Sequence, residues 1–172
     1  MPRRIAFLRA INVGGHVVKM DHLRKLFTSF GFDNVETLIA SGNVILDAQS
    51  ASTAKVEDQI EAGLLGELGY EVVTMVRSPR ELAAVVAHRP FSLETSVVGF
   101  LKQAPTAAAT KEALAWEIDD EEIAFRGKEL YWRHGGRMSE SALGKIKVER
   151  TLGPMTMRNL TTVAKIAAKV PA

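Results

Sequence analysis

The period of hydrophobic and polar positions changes several times along the chain, and each change predicts an element. Ile5, Ala6, Phe7 and Leu8 form an unbroken apolar run before Arg9. With apolar residues on both alternating faces, it predicts a central strand covered on both sides. Leu23, Leu26, Phe27 and Phe30 then recur at helical spacing behind Asp21, a side chain suited to an N-cap, and Gly31 stops the helix. Residues 34–40 and 43–47 read as strands joined by a tight turn at Ser41 and Gly42. From about Ser52 the spacing is helical again, with Val56, Ile60, Leu64 and Leu68 inward and Gly69 at the end. Residues 70–77 return as a strand. The first half therefore reads β-α-β-β-α-β, the ferredoxin-like order.

The second half opens on a capping box in "SPRE", with Ser78 as N-cap, Pro79 in the first helical position and Glu81 reaching back. Leu82, Val85 and Val86 supply that helix's inner face. Residues 97–102 predict a strand, "PTAAATKEALAW" a helix, and residues 122–125 and 129–133 a hairpin through "RGK". Two further helices are expected, at about 141–152 and 157–170, separated by Gly153 and Pro154. The pattern is α+β: two ferredoxin-like subdomains, residues 1–77 and 78–172, the second being β-α-β-β-α plus an extra C-terminal helix. The composition break at 90–95 is short and unlike a linker, so the two are expected to pack together.

Composition narrows the chemistry. At 172 residues and 47% hydrophobic the chain can bury a real core. It has no cysteine, which removes disulfides, iron–sulfur clusters, thiolate zinc sites and cysteine nucleophiles. No apolar run approaches the ~18 residues of a membrane span, and the N-terminus lacks a signal-peptide core, so no membrane and a cytoplasmic location are expected. The net charge of +2 hides an asymmetry: residues 1–125 carry 12 Lys/Arg against 17 Asp/Glu, and residues 126–172 carry 10 against 3. Such a basic C-terminal segment suits an anion or nucleic acid, or simply a solvated face.

The chain also resembles a known family. The matching pieces are "LRAINVGG" with the following "VKM", "TLIASGNVIL", "VRS" before the third helix, and "TMRNLTTVAKI". Together they resemble the bacterial family called domain of unknown function 1697, over nearly the whole chain from Leu8 to Ile166. The resemblance implies two ferredoxin-like subdomains and brings no activity with it. The family pattern reads "LRGINVGG", whereas Ala10 stands in place of that first glycine here.

Several chemistries lack their motifs. His16, His22, His88 and His134 show no metal-ligand spacing, so no metal site is expected. There is no nucleophile elbow, no P-loop and no dinucleotide fingerprint, and no cofactor is indicated. The acidic run Glu117–Glu122 lacks the alternation of a calcium loop and reads as a solvated turn.

What remains is a set of polar residues beside turns. Arg9 shares a face with Ile5 and Phe7, where a charge needs solvent, a carboxylate or an anion. With Asn12, Gly14, Gly15 and Lys19 it forms one candidate ligand-binding group. In "TMRN", Thr156 is read as an N-cap, which would put Arg158, Asn159 and Thr162 at a helix start that favours anions. Ser41, Gly42 and Asn43 form a second candidate turn, with Asn43 bonding back to the backbone. Parallel first and third strands would hold Arg9 and Asn43 on the order of 17 Å apart. The expected activity is binding of an anionic small molecule or nucleic acid, with Lys145, Lys147, Arg150 and Arg158 serving the latter. An enzyme on a small carboxylate or phosphate compound is the alternative, with His16 and His134 beside glycine-rich loops, or a protein–protein interaction domain.

Overall fold

The computed structural model describes residues 1–11, 17–39, 42–134, 143 and 146–172. In chain order the elements are β1 (Arg3–Leu8), α1 (Met20–Ser29), β2 (Asp33–Thr37), β3 (Asn43–Asp47), α2 (Thr53–Leu68) and β4 (Thr74–Arg77). They continue as α3 (Pro79–His88), β5 (Ser96–Leu101), α4 (Ala107–Leu114), β6 (Glu122–Arg126), β7 (Glu129–Arg133), α5 (Val148–Leu152), β8 (Met155–Asn159) and α6 (Leu160–Lys169). The fold is mixed α+β. Two four-stranded antiparallel sheets, ordered β2-β3-β1-β4 and β6-β7-β5-β8, give two ferredoxin-like arrangements with α6 as the added helix. One compact unit comprises Met1–Ala83 with Ile166–Ala172, and the other Ala84–Lys165.

In the first unit, Ala6, Leu8, Val44, Leu46 and Val76 meet the inner stripes of α1 (Leu23, Leu26, Phe27) and α2 (Val56, Ile60, Leu64). Phe27 packs against Phe30 and Phe32 with ring centroids 5.8 and 6.0 Å apart. Ser52 caps α2 by accepting from Lys55 N, and Gly69 ends it at φ +78°. The opposite face of β1 is also buried, since Ile5 and Phe7 are both 0% exposed. Glu36, Ile45, Ile5 and Arg77 form one row across that face. Lys169, in the last turn of α6, reaches Glu36 at 2.8 Å.

Two expectations about this unit fail. Asp21 does not cap α1; Lys19 occupies that position without a side-chain cap bond, and Asp21 pairs with Arg24 inside the first turn. The first and third strands are antiparallel, not parallel, with Phe7 opposite Asn43. The ferredoxin-like order itself requires this. β2 runs with β1 after the α1 crossover, and a hairpin reverses β3 before it enters beside β1. The end of β1 and the start of β3 therefore lie at the same end of the sheet.

β4 is an edge strand, and α2 covers its outer amides. Val76 N donates to Glu57 Oε2 at 2.8 Å, and Thr74 N donates to Glu61 Oε2 at 3.0 Å. Glu57 and Glu61 stand four apart on α2, so one helix face meets two alternate amides of one strand edge.

The second unit follows the same plan. Val97, Leu101, Leu130, Trp132 and Met155 pack on the helix side with Ala113, Val148 and Leu152. The capping box that opens α3, still within the first unit, is present: Ser78 N donates to Glu81 Oε2 at 2.7 Å, and Glu81 N to Ser78 Oγ at 3.1 Å. "TMRN", however, is strand β8 rather than the start of a helix. Gly153 and Pro154 break α5, and Met155 and Met157 then face the core while Thr156 and Arg158 face away, a period of two. β8 completes β-α-β-β-α-β in this half. The expected helix at 141–152 is described only as α5, with residues 141–142 and 144–145 outside the described residues. β8 is again an edge strand, and Met155 N donates to Glu149 Oε1 of α5 at 3.1 Å.

The edge contact predicts a stability difference. Glu57→Leu leaves Val76 N–H buried without an acceptor and should cost about 2 kcal/mol in urea unfolding. Glu57→Gln, which keeps an acceptor, should lose much less, and Asp58→Asn on the exposed neighbour almost nothing.

Candidate functional site

Backbone pairing continues past β1. Leu8 N donates to Gly42 O at 2.8 Å, and Arg9 N to Val73 O at 2.9 Å. The turn before β3 closes through Leu38 N to Asn43 O at 3.0 Å and Asn43 Nδ2 to Leu38 O at 3.1 Å. Asn43 is thus buried and bonds back to the backbone. Tyr70 Oη donates to Ile11 O at 3.1 Å, and Ile11 and Val18 both sink into the helix-side core. Both ends of the β1–α1 connection are therefore anchored at this end of the sheet. Asn12, Gly14, Gly15 and His16, like Ser41, lie outside the described residues.

Lys19 is exposed where α1 begins. The first helical bond there is Leu23 N to Lys19 O at 2.9 Å. Among the described residues no side chain caps the earlier amides of the first turn, and such amides with the positive end of the helix dipole favour an anionic acceptor. One end of the sheet thus gathers half-buried Arg9, Lys19, the α1 N-terminus, Gly42 and Asn43.

The backbone at this end is strained. Ala10 has φ +52°, Ile39 +62° and Gly42 +104°. Glycine adopts such angles freely, whereas a residue with a Cβ loses roughly 1–2 kcal/mol. Ala10 thus carries a Cβ at a φ that favours glycine, the residue of the resembled pattern at this position. Ile39, β-branched and exposed, is the costlier exception.

The remaining predicted residues belong to the second unit. Arg158 Nη1 donates to Thr156 Oγ1 at 2.7 Å and to Met157 O at 2.8 Å. Burial lowers the Arg158 guanidinium to about 10, still charged at neutral pH. Asn159 ends β8 opposite Val97, and Thr162 lies in the first turn of α6. Arg158, Val98 and Tyr131 form one row across the sheet. Burial, with the Glu129 charge beside it and against the opposing effect of Arg126, pushes the Tyr131 phenol up to about 12. Its Oη donates to Val85 O at 3.3 Å, and His88 packs on the ring at 5.1 Å. His134 packs on Trp132 at 5.6 Å. In the acidic run, Glu121 is buried instead of solvated: it accepts from Trp132 Nε1 and Leu143 N, both at 3.1 Å.

Three features escaped the sequence reading. Arg77 is 1% exposed, its only hint being an arginine that ends an apolar strand. Tyr70 was assigned to a strand, and its anchoring of Ile11 had no local signal. Glu57 and Glu61 drew no reading from the sequence, although their spacing of four is visible there.

Among known proteins, the family described as protein of unknown function (DUF1697) matches residues 1–131. A solved structure, that of the conserved bacterial protein SP0830 from Streptococcus pneumoniae, superposes with a TM-score of 0.82 at 23% identity. The match covers 99% of this chain and 98% of that one, and it carries the fold. No curated protein matches. Among the described residues, no helix is long and apolar enough to cross a membrane.

The strain at Ala10 sets the sign of a substitution. Ala10→Gly should raise unfolding stability by about 1 kcal/mol, and Ala10→Val should lower it by at least as much, read as urea midpoints. Destabilisation by glycine would show that the methyl group is held by packing.

Proposed function

The chain belongs to the DUF1697 family of proteins of unknown function, and we propose that it binds a small anion, a phosphate or carboxylate compound, at the β1–β3 end of its first sheet. The observation carrying this reading is the α1 N-terminus, which has no side-chain cap among the described residues and begins behind Lys19 at the sheet end shared by Arg9, Gly42 and Asn43. Amides at a helix start and two cationic side chains suit one anionic group. Arg9 and Lys19 act as the charged contacts, Gly42 and Asn43 as the turn that shapes the floor.

A nucleic-acid partner has less support. Lys169 is engaged by Glu36, Arg158 is half-buried in β8, and Lys145 lies outside the described residues. The basic C-terminal segment therefore offers fewer cations for a phosphate backbone than its composition suggests. No catalytic step is assigned, and His134 is read as a packing residue against Trp132.

The reading is tested by thermal shift with inorganic phosphate, sugar phosphates, nucleotides, dicarboxylic acids and short oligonucleotides. A ligand at a hundred times its dissociation constant adds about 2.7 kcal/mol of stability. Arg9→Gln and Lys19→Gln should each remove most of that gain, and Arg158→Gln should leave it. Loss with Arg158→Gln alone would move the site to β8, and equal shifts in all variants would remove the reading.

A further inference from the structure

We infer that the second unit holds a separate site, on the helix side of its sheet, for an amphipathic anion: an apolar chain or ring ending in one carboxylate or sulfonate. A cavity of about 500 Å³ lies there, bounded by β7, α5 and β8. That size falls within the range of roughly 300–1,000 Å³ usual for small-molecule sites.

Its floor is apolar and its mouth is cationic. Trp132, Leu143 and Val148 are buried at 2, 1 and 7% exposure and form the closed end, with Ile146 and Met157 along the walls. The polar atoms of the floor are already used: Trp132 Nε1 donates to Glu121 Oε1, and Leu143 N donates to Glu121 Oε2. A polar head would find no partner at that depth, whereas a tail would bury against carbon.

Lys147 and Arg150 line the same cavity and are exposed. Neither has a carboxylate partner among the described residues. Glu149 also lines the cavity, but its Oε1 accepts from Met155 N at 3.1 Å. Two cations against one engaged carboxylate favour an anionic head at the mouth, and the depth of the apolar floor selects the tail.

The test uses Trp116→Phe, which leaves Trp132 as the sole tryptophan, titrated with octanoate, hexanoate, 1-octanol and octylammonium while Trp132 emission is read. Octanoate should bind saturably, hexanoate about tenfold more weakly for its two missing methylenes, and 1-octanol and octylammonium severalfold more weakly. The surface double variant Lys147→Gln/Arg150→Gln should erase the advantage of octanoate over 1-octanol. Arg9→Gln should leave octanoate binding unchanged, which separates this site from the one proposed above. If Trp116→Phe is destabilised, the indole N–H resonance of Trp132 in the wild-type chain gives the same readout. Equal affinity for octanoate and 1-octanol, persistence of the difference in the double variant, or a silent Trp132 would each overturn the inference.

Discussion

Two backbone hydrogen bonds at the end of β1, Leu8 N to Gly42 O and Arg9 N to Val73 O, tie the central strand to antiparallel neighbours on both sides. Because side chains alternate, that register decides which residues enter the helix-side core and which form the Glu36–Ile45–Ile5–Arg77 row. A slip of one residue would exchange the faces, driving Ala6 and Leu8 away from α1 and α2 and turning Ile5 and Phe7 toward them. The same pairing brings Arg9 and Asn43 to one end of the sheet. Parallel strands would have separated them by a strand length and dissolved the candidate site.

A second constraint acts at the sheet edges. Glu57 and Glu61 hold amides of β4, and Glu149 holds one of β8. In each unit the helix that precedes the last strand turns a carboxylate onto that strand's outer edge. An exposed row of amides would invite pairing with another chain, and a helix-borne acceptor satisfies it. Sequence comparison of the halves reveals no repeat, yet the order of elements and this contact recur in both. Shared topology is sufficient to account for the recurrence: a helix crossing over an edge strand needs some acceptor at that position.

Much of the architecture was legible because it rests on local rules. The Ser78 cap, the Gly69 stop and the stripes of α1 and α2 depend on residues within a turn or two of one another. The errors came where a longer-range condition decided. "TMRN" offers Thr156 as an N-cap, but the alternation of Met155 and Met157 and the open edge beside β5 make it a strand. Asp21 is a good capping residue, yet the helix begins before it. The two candidate motifs of the first sheet were each visible, while their convergence depended on strand direction, which was inferred wrongly. Ala10 is the instructive case. Its departure from the resembled pattern was visible in the sequence, whereas its positive φ was not.

The central proposal is that the antiparallel end of β1 and β3, with the start of α1, forms one anion site. It is tested most directly by titrating the 15N-labelled chain with inorganic phosphate and a nucleoside monophosphate while backbone amide shifts are followed. The account predicts saturable shifts concentrated at Arg9, at Lys19 through His22, and at Gly42 and Asn43, with one common dissociation constant. Shifts confined to β8 around Arg158, or no saturable response at the β1–β3 end, would contradict it.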